Sequence, residues 1–582
     1  MGSTKEIHCG TNMWKQRLYN KDVEQEFIRL GKNKFLSRLL AQRNIQPLLI
    51  NKFIEPTYDN LSRPYALNGV KEASELFCKI ALKKGNIGVS SDYDADGIFS
   101  AVMIKELCNV FHLNCKVFLP SRSDHGYGLS KKSIESMKVL FKRKLDLLIV
   151  ADCGSCNEEE IKEIKNNIAK HVIILDHHPI DNVDKLSKSA DILINWHLQD
   201  NFEETCACGE VFHFIRGIRW LTKKINPIEF ISYAAIGILA DVSPVVGNNR
   251  IIVKNGLSEY ALKHVVASGL NALLRKSNIY TQDVSQGDIL FKIAPKINSA
   301  GRLKKPDIAF RLLVEHDPST AELMAINLNE YNDERKEIQR DIEIEAIKIV
   351  NENKDQYKNG ILLFNPSWTI GVVGIVASKL AETFCKPSIV VGQSGDIIRG
   401  SGRSIGNINL KEILDDCKEM FVTYGGHPSA AGVVLKKEYI DKANTMFNEA
   451  CSKYYNSYGF PSEIRYYDLD IKPELINMRT AKMLLNNLYP YCNQNNPEPI
   501  FLISNATIIN ANLIEKDNWK MLVFEVSKDG KKSSMKMRMF TDLFGGEINQ
   551  STADIYFSLP QTVTKDRFGD PPINVVDFVL KK

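Results

Sequence analysis

The chain has 582 residues, 44% hydrophobic and 25% charged, a balance that excludes a collagenous or disordered polymer and predicts three or four globular domains at ~150 residues each. No apolar run reaches the roughly 18 residues that span a bilayer, and the opening MGSTKEIHCG lacks the basic-then-apolar pattern of a secretory leader, so a cytoplasmic protein without membrane attachment is expected. The net charge of +5 resides in residues 1–50, where nine Lys or Arg face four acids. That segment is expected to be either a solvated helical arm or a basic lead-in to nucleic acid.

From Ile87 to Trp196 short apolar runs alternate with helical patterns: NIGVSSD, a helix over 98–111, CKVFLP, a helix near 130–142, LDLLIVAD, a further helix, then HVIILD. Continuous apolar runs of this length mark strands buried on both faces, so the region predicts a doubly wound parallel sheet in an α/β fold. FISYAAIGILA at 230–240 reads as a buried helix that delivers Asp241 at its end. A polar helix over about 320–353 predicts a connector between two lobes. Beyond Gly360, ILLFNPSW, TIGVVGIVASKLAETF and PSIVVG predict a second α/β unit ending near Tyr455, and the alternating runs after Pro461 predict a small β-barrel of the OB type. The expected units are an extension at 1–50, a catalytic domain at 51–319, the connecting helix at 320–355, a second α/β domain at 356–458 and the barrel at 459–582.

In a parallel sheet ligands gather at the carboxyl ends of strands. Asp92, Asp94 and Asp96 follow the first strand, Asp152 follows LDLLIVA, and Asp176, His177 and His178 follow HVIIL. Like charges buried together repel unless something neutralises them, and two divalent cations would satisfy the whole set. Mixed oxygen and nitrogen donors suit manganese or magnesium better than structural zinc. Paired cations are a standard arrangement for phosphate-ester hydrolysis, so hydrolysis of a phosphate ester or anhydride is expected. The twelve scattered cysteines read as mostly buried free thiols of a reducing compartment. Cys153 and Cys156, and Cys206 and Cys208, are expected to be such thiols and not a zinc or redox site.

SDYDADG (91–97), VADCGS (150–155), LDHHP (175–179) and ILADVSP (238–244) resemble the successive motifs of the DHH phosphoesterase superfamily. LPSRSDHGYGLS (119–130), KINSAGRL (296–303), WTIGVVGIVASKL (368–380), RGSGRS (399–404), GGHPSAAG (425–432) and NPEPIF (496–501) are similar, in order, to segments of the RecJ exonucleases. The resemblance covers about residues 60–505. It implies a DHH domain, a DHH-associated clamp domain, and hydrolysis of single-stranded DNA from its 5′ end to 5′-mononucleotides.

It further implies that Asp94 and Asp96 each serve a different cation and Asp152 bridges them, with His177 and Asp241 completing the ligands of the second cation. His178 would face the scissile phosphate, and Asp176 would orient a histidine. Many DHH proteins carry a histidine four residues before the first metal-binding Asp. Ser90 stands there in this chain, leaving Asp92, water or substrate to complete that site. The resemblance places Arg302, Ser401 and Arg403 on the 5′-terminal phosphate, His427 at the reaction centre from across the cleft, and Arg122 and Asn298 among the substrate contacts. The glycines of GGHPSAAG are expected to let backbone approach a phosphate. Tyr466, Tyr467, Trp519 and Phe524 are available for base stacking, although core packing is the ordinary role of aromatics in small barrels. Manganese is favoured over magnesium, and a monomer working beside a single-strand-binding protein and a helicase is expected. Two rivals are a DHH hydrolase of short oligonucleotides, cyclic dinucleotides or pyrophosphate, and a non-catalytic replication scaffold on the same fold. The terminal barrel argues against the first, and the retained acids and histidines argue against the second.

Overall fold

The computed structural model describes residues 13–121, 128–180, 182–303, 305–461, 464–492, 495–516, 519–540, 548–561 and 573–581. Arg122 and the GY of the GYGLS segment lie outside the described residues.

The first lobe is built on five parallel strands: β1 (Ile87–Ser91), β2 (Cys115–Phe118), β3 (Leu145–Ala151), β4 (Ala169–Leu175) and β5 (Ile192–Ile194), ordered β2-β1-β3-β4-β5. β1 is buried along its whole length and β3 nearly so, as their uninterrupted apolar runs require. Apolar clusters cover the sheet on both faces. One gathers Val89, Phe99, Leu147, Phe212 and Tyr233, and the other Ile134, Leu148, Val150, Ile161 and Ile174. The alternate residues of β3 thus point to opposite clusters, as the period of two dictates. The helix expected over 230–240 spans Ile228–Ala240, with all but its terminal residues sunk in the first cluster.

The connector is a single helix, Pro318–Glu352, opened by an Asp317 cap that accepts from the Thr320 amide at 2.7 Å. Its first half packs on the first lobe through Ala321, Ala325 and Leu328. Its second half packs on the clamp lobe through Ile342, Ala346 and Val350. The clamp lobe holds β6 (Ile361–Phe364), β7 (Ser388–Ser394), β8 (Ile397–Arg403), β9 (Phe421–His427) and β10 (Ala430–Leu435), ordered β9-β10-β8-β7-β6. β6 and β7 are parallel and the remaining pairs antiparallel.

At the C-terminus β11 (Ile500–Lys516), β12 (Trp519–Lys528), β13 (Met537–Phe540), β14 (Thr552–Ser558) and β15 (Ile573–Leu580) close on themselves, with β11 pairing both β14 and β12. This is the closed five-stranded barrel expected of an OB-like domain. Phe524 is buried in it and Tyr467 packs on Tyr556, whereas Tyr466 is exposed under Arg17.

The basic N-terminal segment is not a solvated arm. Strand Met13–Gln16 pairs in parallel with Ile464–Tyr467, and Phe27, Leu36, Leu39 and Leu40 are buried in the barrel's own core cluster. Three of its arginines are paired in place, Arg17 lying 3.4 Å from Asp468. Arg38 meets Glu24 at 2.8 Å, and Arg43, fully buried, donates to Asp468 at 3.1 Å, Asn496 at 3.0 Å and the Pro497 carbonyl at 2.7 Å. Without Arg43, buried Asp468 keeps only the partly exposed Arg17, 3.4 Å away. Arg43→Ala is therefore expected to destabilise the barrel by up to about 3–5 kcal/mol, read as an earlier denaturant midpoint for the barrel. An unchanged midpoint would show that Arg17 alone compensates Asp468.

Candidate metal centre

β1, β3 and β4 are neighbours, and the register Ser91↔Ala151↔Leu175 sets their carboxyl ends level. The residues that follow, Asp92, Asp152 and Asp176, therefore fall side by side on one sheet edge. Asp94 caps helix Ala95–Val110 and accepts from the Gly97 amide at 3.2 Å. The turn is tight: a Cβ on Gly97 would stand 2.5 Å from the Asp92 carbonyl oxygen, so only glycine fits. Asp152 sits in the left-handed region with φ 57°, a conformation that Asp and Asn tolerate better than other side chains.

Asp96 is held by the N-terminus of helix Ala207–Thr222. Its two oxygens accept from the amides of Ala207 at 2.9 Å and Cys208 at 2.8 Å, and each keeps lone pairs for a cation. These amide donors were not read from the sequence. The signal available was the CAC segment at a helix start, where unsatisfied N–H groups attract a carboxylate.

The acids and His177 converge. His177 Nε2 lies 3.4 Å from Asp152 Oδ1, 3.8 Å from Asp241 Oδ1 and 3.9 Å from Asp96 Oδ2. Three sets of ligand atoms each lie within 4.8 Å of one another: Asp92, Asp94 and Asp152; Asp96, His177 and Asp241; and Asp152, His177 and His178. Asp152 belongs to two sets and lies between the others. Ser90 is buried on β1 and supplies no carboxylate or imidazole to the first set.

Electrostatics mark the cluster as one that lacks its counter-charge. Burial and the neighbouring Asp94 and Asp96 push the Asp152 carboxyl well up, and burial with Asp96 pushes Asp94 up as well. Asp241, buried and facing Asp96, is pushed up to about 8. Burial lowers His177 below the usual imidazole value, so it presents a neutral ligand nitrogen. A set of carboxylates that cannot all ionise alone, beside a neutral imidazole, fits divalent cations.

His178 differs. Burial disfavours its charge, yet its Nδ1 lies 2.7 Å from Asp176 Oδ1 and that contact raises it to about 9. Asp176 also accepts from the Ser155 amide at 2.8 Å. Although burial pushes its carboxyl up, these bonds hold it below the usual value. Asn195, fully buried and not anticipated from the sequence, donates to the His178 carbonyl at 2.9 Å and to Ser155 Oγ at 3.1 Å. The cysteine pairs stand apart from this chemistry. Burial pushes the Cys153 and Cys206 thiols well up and Cys208 up to about 12, leaving none of the three a thiolate ligand.

Across the cleft, Arg302, Ser401 and Arg403 meet the first turns of helix Ile370–Phe384. Arg302 donates to the Gly371 carbonyl at 3.0 Å. A Cβ on Gly371 would stand 2.2 Å from the Arg302 carbonyl oxygen, so the two lobes touch through glycine backbone. One turn on, a Cβ on Gly374 would stand 3.3 Å from Ser401 Oγ and 3.4 Å from the Arg403 guanidinium. Two arginines near the first turns of one helix are groups of the kind that can hold an anion. Asn298, on the helix that ends in Arg302, has a buried Oδ1 with no hydrogen-bond partner. β10 pairs β8 as Ser401↔Gly432 and Arg403↔Ala430, and His427 pairs Ala430. His427 thus lies two strands from Arg403, about 10 Å at the usual strand spacing. It is exposed at the end of β9 and is not drawn into the acid and histidine cluster. A Cβ on Gly425 or Gly432 would meet nothing within 4 Å, so those glycines border open space; at Gly426 a Cβ would clash with the Ala430 carbonyl, a demand of the hairpin itself.

Fold and site together define a two-lobed α/β protein that carries two matched domains: residues 86–238 match the DHH family N-terminal domain and residues 357–453 match the DHHA1 domain. Over most of its length the chain is similar to the RecJ exonucleases. It is 29% identical over 491 residues to the single-stranded-DNA-specific exonuclease RecJ of Bacillus subtilis, covering 81% of this chain and 60% of that one. It is 27% identical over 494 residues to RecJ of Haemophilus influenzae, covering 81% and 83%. RecJ of Thermus thermophilus in complex with Mn2+ superposes with a TM-score of 0.79 at 22% identity, over 98% of this chain and 80% of that one. Thus the chain spans about three-fifths of the Bacillus relative's length and most of the other two. No helix among the described residues is long and apolar enough to cross a membrane.

Proposed function

We propose that this chain is a metal-dependent exonuclease that hydrolyses single-stranded DNA from its 5′ end to 5′-mononucleotides. The observation that carries it is the joining of two sets of metal-ligating groups through Asp152, opposite an arginine-lined helix N-terminus on the other lobe. Asp92, Asp94 and Asp152 would hold one divalent cation, and Asp96, Asp152, His177 and Asp241 a second. Such a pair supplies a hydroxide nucleophile and charge stabilisation for phosphodiester hydrolysis. The nitrogen donor of His177 favours manganese over magnesium.

The chain's own groups do the positioning. With Nδ1 engaged by Asp176, His178 presents Nε2 to the scissile phosphate, where its proton stabilises a non-bridging oxygen as charge builds. Arg302, Ser401 and Arg403 take the terminal phosphate, with Asn298 turning its buried oxygen or amide toward the strand. Arg122 and His427 complete the substrate contacts as the strand seats. The contact of Arg302 with Gly371 narrows the passage between the lobes and favours a single strand over duplex. The chain acts as a monomer, with a single-strand-binding protein and a helicase as its expected partners.

The test is incubation of oligothymidylate with the protein and manganese, magnesium or a chelator, with products separated by anion exchange. Thymidine 5′-monophosphate should accumulate only with a divalent cation. Release of 3′-monophosphates, or hydrolysis confined to dinucleotides, would overturn the reading. Strand affinity should also fall steeply with salt, because each neutralised phosphate of a single strand contributes about −0.7 to the log-log slope. A slope near zero in fluorescence titrations would point to a small-molecule substrate.

A further inference from the structure

A second basic pocket lies where the start of helix Ala294–Arg302 meets the connecting helix Pro318–Glu352. Its volume is about 410 Å³, and Phe291, Lys296, Arg335 and Lys336 are among its lining residues. Much of the charge around it is neutralised locally. Lys292 pairs with Asp288 and Lys336 with Asp333, so neither calls for a ligand.

Arg335 is different. It is 8% exposed, its two terminal nitrogens donate only to the neutral amides of Gln339 at 2.6 Å and Asn332 at 2.7 Å, and its buried Nε has no hydrogen-bond partner. Asp333 and Glu343, the latter also lining the pocket, favour its charge from a distance but form no ion pair with it, so a guanidinium buried to this degree keeps an orphaned donor for an anion. Lys296 lines the same pocket, half-buried, donating to Ser277 Oγ at 2.6 Å, and burial together with Lys336 lowers its ammonium below the ordinary value. No described carboxylate pairs with Arg335 or Lys296. Phe291, on the π-helical turn Ile289–Ile293, is 80% exposed and lines the same pocket, a large ring turned out to water.

We infer that this pocket is a second nucleotide site, in which Arg335 and Lys296 take a phosphate and Phe291 stacks on the attached base. The choice of a nucleotide over other anions rests on the nucleic-acid reading above. An orphaned cation beside an exposed ring matches the general pairing of a phosphate contact with an aromatic platform. The site does not belong to the catalytic cleft. Lys296 and Arg302 are six residues apart on one helix, about 9 Å along its axis and some 120° around it, so the pocket opens on a different face from Arg302. The same chemistry is offered by a strand outside the cleft and by a free mononucleotide such as the proposed product.

Photo-crosslinking with peptide mapping locates the ligand independently of catalysis. Two probes separate the sources: 5-iodo-2′-deoxyuridine 5′-monophosphate, and a 40-mer of thymidylate carrying internal 5-iodouracil. The expected result is a crosslink on the peptide containing Phe291, its yield falling at least fivefold in Arg335→Gln and in Lys296→Gln. Lys296→Gln keeps the test decisive if the Arg335 variant does not fold. A crosslink from the 40-mer assigns the site to the strand, and one from the monophosphate alone assigns it to free nucleotide. Absence of that crosslink with both probes, or yields unchanged in the variants, overturns the inference. Product release by the same preparation is scored in parallel. Hydrolysis without the crosslink removes only this site, and the crosslink without hydrolysis removes only the nuclease reading.

Discussion

Asp152→Asn is expected to abolish hydrolysis while leaving the protein folded. Removing one donor that acts on the transition state costs about 10²–10³ in rate, and Asp152 is a member of two ligand sets at once, so the loss should exceed that range. Asparagine is the informative substitution because the residue sits at φ 57°, which Asn adopts readily and Ala does not. The carboxyl is also pushed well up by burial and by Asp94 and Asp96. A buried acid whose folded pKa is raised opposes folding at any pH above its unfolded value, where its charge must be suppressed or borne. Metal-free Asp152→Asn should therefore melt no lower than the wild type at neutral pH. The wild type should gain thermal stability on adding manganese, as any ligand of the native state confers, and the variant should lose most of that gain. Ordinary product release by the variant at normal metal concentration would sink the two-cation assignment. A variant that melts well below the metal-free wild type would make Asp152 a folding residue first.

The second large effect concerns strand polarity. Arg403 and Ser401 stand beside Gly374, one turn into helix Ile370–Phe384, and Arg302 reaches Gly371 in the preceding turn from the other lobe. A terminal phosphate carries a second negative charge that an internal phosphodiester lacks, and hydrogen bonds to charged groups contribute about 1.5–3 kcal/mol each. Arg403→Ala should then slow removal of nucleotides from 5′-phosphorylated strands by roughly 10- to 150-fold. Strands ending in a 5′-hydroxyl should slow by much less, and the manganese-induced stabilisation should be unchanged. Equal slowing of both substrates would make Arg403 a backbone or structural contact.

The candidate metal centre was legible because its grammar is local. Asp92, Asp152 and Asp176 follow continuous apolar runs, Asp241 follows an apolar helix, and the buried strands β1, β3 and β4 had to end level for the sheet to pair. The long connector was equally plain, since Asp317 caps it and its buried positions recur at helical spacing. What stayed hidden depends on partners distant in sequence. Arg43 reads as one more cation of a basic segment until Asp468, 425 residues on, is seen against it. Strand Met13–Gln16 is too short and too polar to announce its pairing with Ile464–Tyr467. The residues that hold the ligands were invisible for another reason. Asp96 is gripped by backbone amides of Ala207 and Cys208, and backbone groups leave no mark in composition. Asn195 supports His178 as an uncharged amide, a residue type that the pattern of acids and histidines does not single out. For Phe524 the ordinary role of an aromatic in a small barrel prevailed, and it is core.

A two-cation site that consumes a strand from an anchored 5′ end is tested by one digestion. A single strand of about 40 nucleotides carrying different labels at its two ends is incubated with the protein and manganese, beside the same strand in a blunt duplex. The 5′ label is expected to leave first as a mononucleotide, the 3′ label to stay on shortening strands until late, and the duplex to be spared. Release of the 3′ label first, or equal digestion of the duplex, would contradict that reading, and the roles given to Arg302, Ser401 and Arg403 would fall with it.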